Sequence, residues 1–214
     1  MSKIFEIGVA KTGSTSLHKA LQILGFNVTS FQGHGKDMHY FDMLKPCNYN
    51  YTMNMIKQGE AFEDVPWRNL PIRLIDPLFP ESKFILLERN NEEWFNSLLD
   101  HWKRKWTITN GVHKEYNNYL KYPEYIRKKY YKRKSNKYRR VKEFFSKDVY
   151  GSLLVMNICE GDGWDKLCSF LNLPTPNEKF PHERTSKSEW DNLENKKRWL
   201  QKNGFSIMRN KDKI

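Results

Sequence analysis

The chain has 214 residues, which favours a single domain with a substantial core, and 38% of the residues are hydrophobic. Its mean hydropathy is −0.82, and neither an apolar run of about 18 residues nor a leader pattern occurs, so we expect no transmembrane helix and no secretory signal. The net charge is +12. The 3 cysteines are odd in number and lack metal-ligand spacing, so we expect reduced thiols, as in the cytoplasm, instead of a disulfide scaffold.

The N-terminal segment KIFEIGVAKTGSTSLHKALQILGF predicts a strand, a loop and a helix. The strand is expected over residues 4–9 and the helix over residues 14–24. A loop between two such elements directs backbone N–H groups and a helix N-terminus at one point. We therefore expect an anion-binding loop at the start of the chain.

The loop departs from the ATP-binding pattern at one position. Gly8 and Gly13 have the spacing of that pattern, but Ser14 stands where its lysine should be. The lysine of this loop is Lys11, three residues earlier. The pattern therefore favours a phosphate-bearing donor that is not a nucleoside triphosphate.

Further strands and helices alternate along the chain, as in a parallel α/β fold. The predicted elements are strands at residues 27–30, 61–65 and 83–88 and helices at 91–106, 165–171 and 188–205. The apolar run KFILLE at residues 83–88 is typical of a strand buried on both faces. Residues 147–159 fit a helix or a strand equally well.

The positive charge is concentrated in one segment. Residues 101–142 contain 15 Lys and Arg against 2 Asp and Glu, a balance of +13, whereas the rest of the chain sums to −1. The same segment holds 7 of the 11 tyrosines. We expect one domain over residues 1–214, with a basic, tyrosine-rich insert or lid at about 101–142.

The loop sequence GVAKTGSTSL resembles the 5′-phosphosulfate loop of sulfotransferases that use 3′-phosphoadenosine 5′-phosphosulfate (PAPS). That loop carries a lysine, a glycine and a run of Ser and Thr in this order. The resemblance implies that Lys11 is catalytic and contacts the oxygen between phosphate and sulfate, where charge develops as the bond breaks. The other donor contacts that it implies are Thr12, Gly13, Ser14, Thr15 and Ser16.

Two later segments resemble the same family. Its members carry an arginine at the end of the strand matched by KFILLE and a serine eight residues later, and both bind the 3′-phosphate. Arg89 and Ser97 stand at these positions, and an arginine fork suits a terminal phosphate. In the wider family a basic loop after the last helix closes over the donor, and Arg184 and Lys187 are the candidates for that role.

The resemblance offers two carboxylates as general base. FEDVPW, aligned on its proline with cytosolic sulfotransferases, puts Asp64 at the position of their catalytic histidine. HGKDMHYFD resembles a stretch of glycan sulfotransferases and puts Asp37 at the position of their catalytic glutamate. Asp64 ranks first, ahead of Asp37, His34 and His39. Burial or the neighbouring Glu63 would have to strengthen Asp64 as a base.

The resemblance as a whole implies a P-loop α/β sandwich with a central parallel sheet and helices on both faces. The implied reaction moves a sulfuryl group from PAPS to a hydroxyl or amine of a small-molecule or glycan acceptor, leaves 3′-phosphoadenosine 5′-phosphate and needs no metal. Two alternatives stay open. One is a small-molecule kinase on the same fold. The other is a nucleic-acid or membrane-surface binding module with an inactive loop, which would use the nine basic residues of 127–140, a candidate site for any anionic partner.

Overall fold

The computed structural model describes residues 2–29, 49–64, 67–69, 72–108, 111–147 and 152–183. The strands in these ranges are β1 (Ile4–Glu6), β2 (Val28–Thr29), β3 (Ala61–Phe62), β4 (Lys83–Leu87) and β5 (Ser152–Met156). They form one parallel sheet in the order β2-β3-β1-β4-β5. Ile4 of the central strand pairs with Ala61 on one side and Lys83 on the other.

Seven α-helices lie in the same described ranges. They are α1 (Ser14–Ile23), α2 (Tyr49–Gln58), α3 (Ile72–Leu78), α4 (Asn91–Ile108), α5 (Lys114–Lys121), α6 (Pro123–Phe145) and α7 (Trp164–Leu171). Short 3₁₀ helices occur at Trp67–Asn69 and Ile158–Glu160. None of the described helices is both long enough and apolar enough to cross a membrane.

The sheet has a hydrophobic core on each face. On one face, α1 and α7 pack against strand residues such as Ile4 and Ile85. On the other face, α2, α3 and the part of α6 around Val141 pack with Phe5 and Phe84. Neighbouring residues of a strand point to opposite faces, so the three inner strands β1, β3 and β4 are buried on both sides. The predicted α/β sandwich, with helices on both faces of a parallel sheet, is confirmed.

Several elements differ in extent from the sequence prediction. β1 ends at Glu6 instead of residue 9, because the chain turns sharply at the following glycine. Residues 147–159 contain the strand β5, which the sequence did not distinguish from a helix. Helix α2 was not predicted. The helix predicted at 188–205 lies outside the described residues.

The described chain divides into two compact units. The first extends to Arg89, resumes at Ser135 and ends at Glu183, and it contains the whole sheet. The second is formed by residues 90–108 and 111–134, that is, by α4, α5 and the first half of α6.

The second unit has its own core, which is mainly aromatic. Phe95 meets Trp102 edge-on at 6.2 Å and Tyr131 at 5.7 Å between ring centroids. The Arg127 guanidinium lies 5.0 Å from the centre of the Phe95 ring. Contacts of this kind are favourable beyond the area that they bury, so the basic, tyrosine-rich segment forms ordered helices.

Candidate active site

Three of the predicted site segments meet at one edge of the sheet. β3, β1 and β4 are adjacent and parallel, so the residues that follow them lie at the same edge. The glycine loop (residues 8–13) follows β1, Asp64 follows β3 and Arg89 follows β4. The Arg89 guanidinium donates a hydrogen bond of 3.3 Å to the Lys11 carbonyl. The structure thus joins the loop directly to the arginine predicted to bind phosphate.

The two glycines of the loop are required for different reasons. At Gly8 a Cβ atom would lie 2.7 Å from the Glu6 carboxylate and 3.3 Å from the Leu87 carbonyl, so a side chain here would displace Glu6 and crowd the end of β4. Gly13 has a φ of 105°, in the left-handed region that favours glycine, and it caps α1. Among the described residues no side chain caps this helix. The N–H groups of its first turn therefore point at a site that can take an anion.

Lys11 has an unusual backbone conformation. Its φ is 70°, which costs a non-glycine residue about 1 kcal/mol or more. Its carbonyl accepts the hydrogen bond from Arg89, and its side chain is half-buried. Strained backbone of this kind clusters at functional sites, which agrees with the role predicted for Lys11.

The hydroxyl groups of the loop fall into two pairs. Thr12 and Ser16 are buried, and the Thr12 hydroxyl donates a hydrogen bond of 2.8 Å to the Val9 carbonyl. Ser14 and Thr15 are half-buried. Thr12 therefore holds the loop in shape through its side chain, whereas Ser14 and Thr15 keep part of their surface accessible to a ligand.

The C-terminal stretch returns to this loop. The Glu183 N–H donates a hydrogen bond of 2.9 Å to the Ser16 hydroxyl in the first turn of α1. Arg184 and Lys187 follow Glu183 and lie outside the described residues. The contact brings the chain back to the glycine loop immediately before the two predicted basic residues.

Asp64, the first-ranked base, forms an ion pair. Its carboxylate accepts a hydrogen bond from the Arg68 guanidinium, and its carbonyl accepts one of 2.9 Å from the Arg68 N–H. Its own φ is 64°, again in the left-handed region. The Asp64 side chain is 37% exposed. An acceptor hydroxyl would share this carboxylate with Arg68.

Glu63 is paired with a histidine that the sequence analysis did not select. The His18 Nδ1 atom lies 3.1 Å from the Glu63 carboxylate, which is almost fully buried. His18 lies one turn after Ser14 on α1, and residues four apart share a helix face. A carboxylate that holds an imidazole is a common arrangement in proton transfer. The other base candidates, Asp37, His34 and His39, lie outside the described residues.

Ser97 belongs to the second unit. It is half-buried and lies two turns into α4, whereas Arg89 is the last residue before that unit. The Asn90 side chain caps the start of α4, since it accepts a hydrogen bond of 2.9 Å from the Glu92 N–H.

The nine basic residues of 127–140 have two different environments. In the second unit, Arg127 pairs with Glu92 at 2.5 Å, and hydrogen bonds from Tyr131 and Arg127 lower the pKa of Glu92. Lys134 donates a hydrogen bond of 2.9 Å to Asn91. In the first unit, Lys137 binds backbone carbonyls. The exposed members of the segment are Lys128, Lys129, Lys132, Arg133, Arg139 and Arg140.

A parallel sheet with a glycine loop after its central strand, and an arginine from the neighbouring strand hydrogen-bonded to that loop, defines an α/β protein with a P-loop-like fold. The model of the sulfotransferase domain family matches residues 3–188, and the chain belongs to this family. This confirms the predicted family and makes the function sulfotransferase-like. A curated relative, Ava biosynthesis cluster protein M of Aspergillus versicolor, is 23% identical over 219 residues, which cover 86% of this chain and 81% of the relative.

Proposed function

We propose that this protein is an enzyme that moves a sulfuryl group from PAPS to a hydroxyl or amine of a small-molecule or glycan acceptor. The observation that carries the proposal is the direct bond between Arg89 and the Lys11 carbonyl at the end of the sheet. The loop has Ser14 where an ATP-binding loop has lysine, which favours this donor over ATP.

The loop and its surroundings suit the donor. Gly8 has no side chain and Gly13 is left-handed, so the loop backbone can approach a 5′-phosphate closely. The start of α1 would present its N–H groups to the same phosphate. In this proposal Ser14 and Thr15 add hydroxyl donors, and Arg89 with Ser97 binds the 3′-phosphate. Arg184 and Lys187 would add positive charge as the C-terminal stretch closes on the loop.

The chemistry needs a cation at the leaving oxygen and a base at the acceptor. PAPS supplies the activated sulfuryl group when it is bound. Lys11 would stabilise the negative charge on the departing phosphate oxygen. Asp64 would take the proton of the acceptor hydroxyl while Arg68 keeps the carboxylate oriented. His18, held by Glu63, is the alternative base.

We also propose that residues 1–214 form one sulfotransferase-like domain in which the segment at about 101–142 is a basic, tyrosine-rich insert or lid. We also place the protein in the cytoplasm, because Cys159 and the buried Cys168 are free thiols.

Calorimetric titration tests the choice of donor. Without Mg²⁺, the protein should bind 3′-phosphoadenosine 5′-phosphate at least about tenfold more tightly than ATP, a difference of about 1.4 kcal/mol. Release of that nucleotide from PAPS in the presence of an acceptor mixture then measures turnover. Tighter binding of Mg-ATP would reject the proposal in favour of a kinase. Salt-dependent binding of nucleic acid or vesicles, with no nucleotide binding, would favour the binding module.

A further inference from the structure

A carboxylate is buried directly behind the glycine loop. Glu6, at the end of β1, is 1% exposed, and its side chain accepts a hydrogen bond of 2.7 Å from the Gly8 N–H. A buried negative charge is costly unless an opposite charge lies near it. It would also oppose the binding of a phosphate by the neighbouring loop. The site therefore needs a compensating cation on the protein side of the loop.

Lys137 provides that cation from a distant part of the chain. Its ammonium group donates hydrogen bonds of 2.6 Å to the Gly8 carbonyl and 3.0 Å to the Arg68 carbonyl. Gly8 begins the loop, and Arg68 is the partner of Asp64. One side chain of α6 thus connects the glycine loop with the segment that carries the first-ranked base.

The half of α6 that carries Lys137 is firmly fixed to the sheet. The Tyr138 hydroxyl donates a hydrogen bond to the Leu87 carbonyl at the end of β4. Lys142 forms an ion pair of 2.7 Å with Glu88, one residue further along the chain. Val141 is buried in the core beneath. Because its neighbours are anchored, Lys137 approaches the loop from a fixed position.

The charged groups that face Lys137 have opposing effects on its pKa. Burial lowers the pKa of Lys137 to about 8, Glu6 acts to raise this pKa, and the Arg68 guanidinium acts to lower it further. Burial also raises the pKa of the adjacent Tyr138, so that this phenol stays neutral. The charge of Lys137 is therefore present at neutral pH and is lost as the pH rises through about 8.

We propose that Lys137 is a positioning residue of the donor site, which fixes the Gly8 carbonyl and neutralises Glu6 so that the glycine loop can accept an anion. The inference rests on the proposed function for the identity of the nucleotide and on the loop geometry for everything else. It gives one basic residue of 127–140 a role inside the site, separate from that of its exposed neighbours.

The test compares Lys137→Met, which removes the donor and the charge, with Lys137→Arg, which keeps a charge at every pH used. The matched control is Lys132→Met on an exposed position of the same helix. Affinity is measured by calorimetry from pH 6.5 to 9.5 with 3′-phosphoadenosine 5′-phosphate and, separately, with pyrophosphate, which needs only the loop. Dividing each affinity by that of the control at the same pH cancels the effect of protonation of the ligands themselves.

At pH 7, Lys137→Met should weaken both ligands by at least about tenfold relative to the control. The affinity of the unmodified protein should fall toward that of Lys137→Met above pH 8, whereas Lys137→Arg should show no such fall. The double variant Glu6→Gln/Lys137→Met keeps an acceptor for the Gly8 N–H without the buried charge. This double variant should recover part of the affinity that Lys137→Met loses. It also provides the test of charge compensation if Lys137→Met alone does not fold.

Stability should change with pH in the opposite direction. The folded pKa of Lys137 is about 8 and its ordinary value is 10.5, so between these values the unfolded state binds more protons. The contribution of Lys137 to the free energy of unfolding, measured against Lys137→Met in urea, should rise over this range. A purely structural lysine would give this rise without any change in ligand affinity.

The outcomes separate the two proposals. If pyrophosphate binding depends on Lys137 but the nucleotide does not bind, the inference stands and the proposed function fails. If Lys137→Met binds both ligands as well as Lys132→Met does, the inference is wrong whatever the donor is. If the unmodified protein binds neither ligand, the loop is not an anion site and both proposals fall.

Discussion

The two units of the chain use positive charge in different ways. In the first, a few cations are held at the ends of the strands, such as Arg89 on the Lys11 carbonyl and Lys137 on the Gly8 carbonyl. In the second, cations lie on an aromatic cluster or in solvent, such as Arg127 over Phe95 and the exposed Lys128. The number of basic residues therefore says little about where an anion binds. Burial and fixed partners distinguish a site from a solvated helix face.

The largest loss of turnover should come from replacing Asp64, the proposed general base in the first unit. Asp64→Asn is nearly isosteric, so nucleotide binding should survive while turnover of PAPS falls by about 10²–10⁴, the usual range for loss of a general base. The control is Asp165→Asn on an exposed position, and Asp37→Asn should do less than Asp64→Asn. Normal turnover by Asp64→Asn would transfer the role to Asp37 or to His18.

The next largest loss of turnover should come from replacing Lys11, which acts on the leaving oxygen and not on the acceptor. Lys11→Met removes the cation at the leaving oxygen and should lower turnover by about 10²–10³, as loss of one group that stabilises developing charge commonly does. Lys19 is an exposed lysine of α1, so Lys19→Met is the matched control and should keep full turnover. Equal rates for the two variants would remove Lys11 from the chemistry.

Arg89 should affect binding more selectively. Arg89→Ala should weaken 3′-phosphoadenosine 5′-phosphate by about 2–4 kcal/mol, as loss of a charge-assisted pair often does. Adenosine 5′-phosphosulfate, which has no 3′-phosphate, should lose much less. Calorimetry with both nucleotides decides the point, since equal losses would show that Arg89 does not contact the 3′-phosphate.

The smallest effect should come from the exposed cations. Replacing Lys128, Lys129 and Lys132 by glutamine should change the free energy of unfolding by less than about 0.5 kcal/mol for each residue, as exposed substitutions usually do. Nucleotide affinity at 0.15 M salt should also stay unchanged, because these side chains are exposed and salt screens exposed charges. A loss of affinity similar to that expected for Lys137→Met would erase the distinction between the two units.

Much of the fold could be predicted because its signals are local. The run KFILL is apolar at every position after its lysine and forms the buried strand β4. The start of α1 at Ser14 follows from the glycine before it. β5 could not be separated from a helix, because its run of four apolar residues fits both periods. β1 was predicted too long, because the end of this strand depends on how closely Gly8 packs against Leu87 of β4, and a contact between distant residues gives no local signal.

The sequence could suggest candidate site residues only at the ends of predicted strands, as for Arg89 and Asp64. The pairing of Asp64 with Arg68, of Glu63 with His18 and of Gly8 with Lys137 could not be predicted. These contacts depend on how distant elements pack, and the contact of Lys137 with Gly8 spans 129 positions. A lysine within a basic run gives no sequence signal of burial.

A crystal structure with bound 3′-phosphoadenosine 5′-phosphate would test the central claim most directly. We expect the 5′-phosphate against the N–H groups of residues 11–16, with Lys11 beside it, and the 3′-phosphate on Arg89 and Ser97. We also expect the Lys137 ammonium on the Gly8 carbonyl behind the bound phosphate. A nucleotide bound elsewhere, or bound here with its 3′-phosphate away from Arg89, would contradict the account.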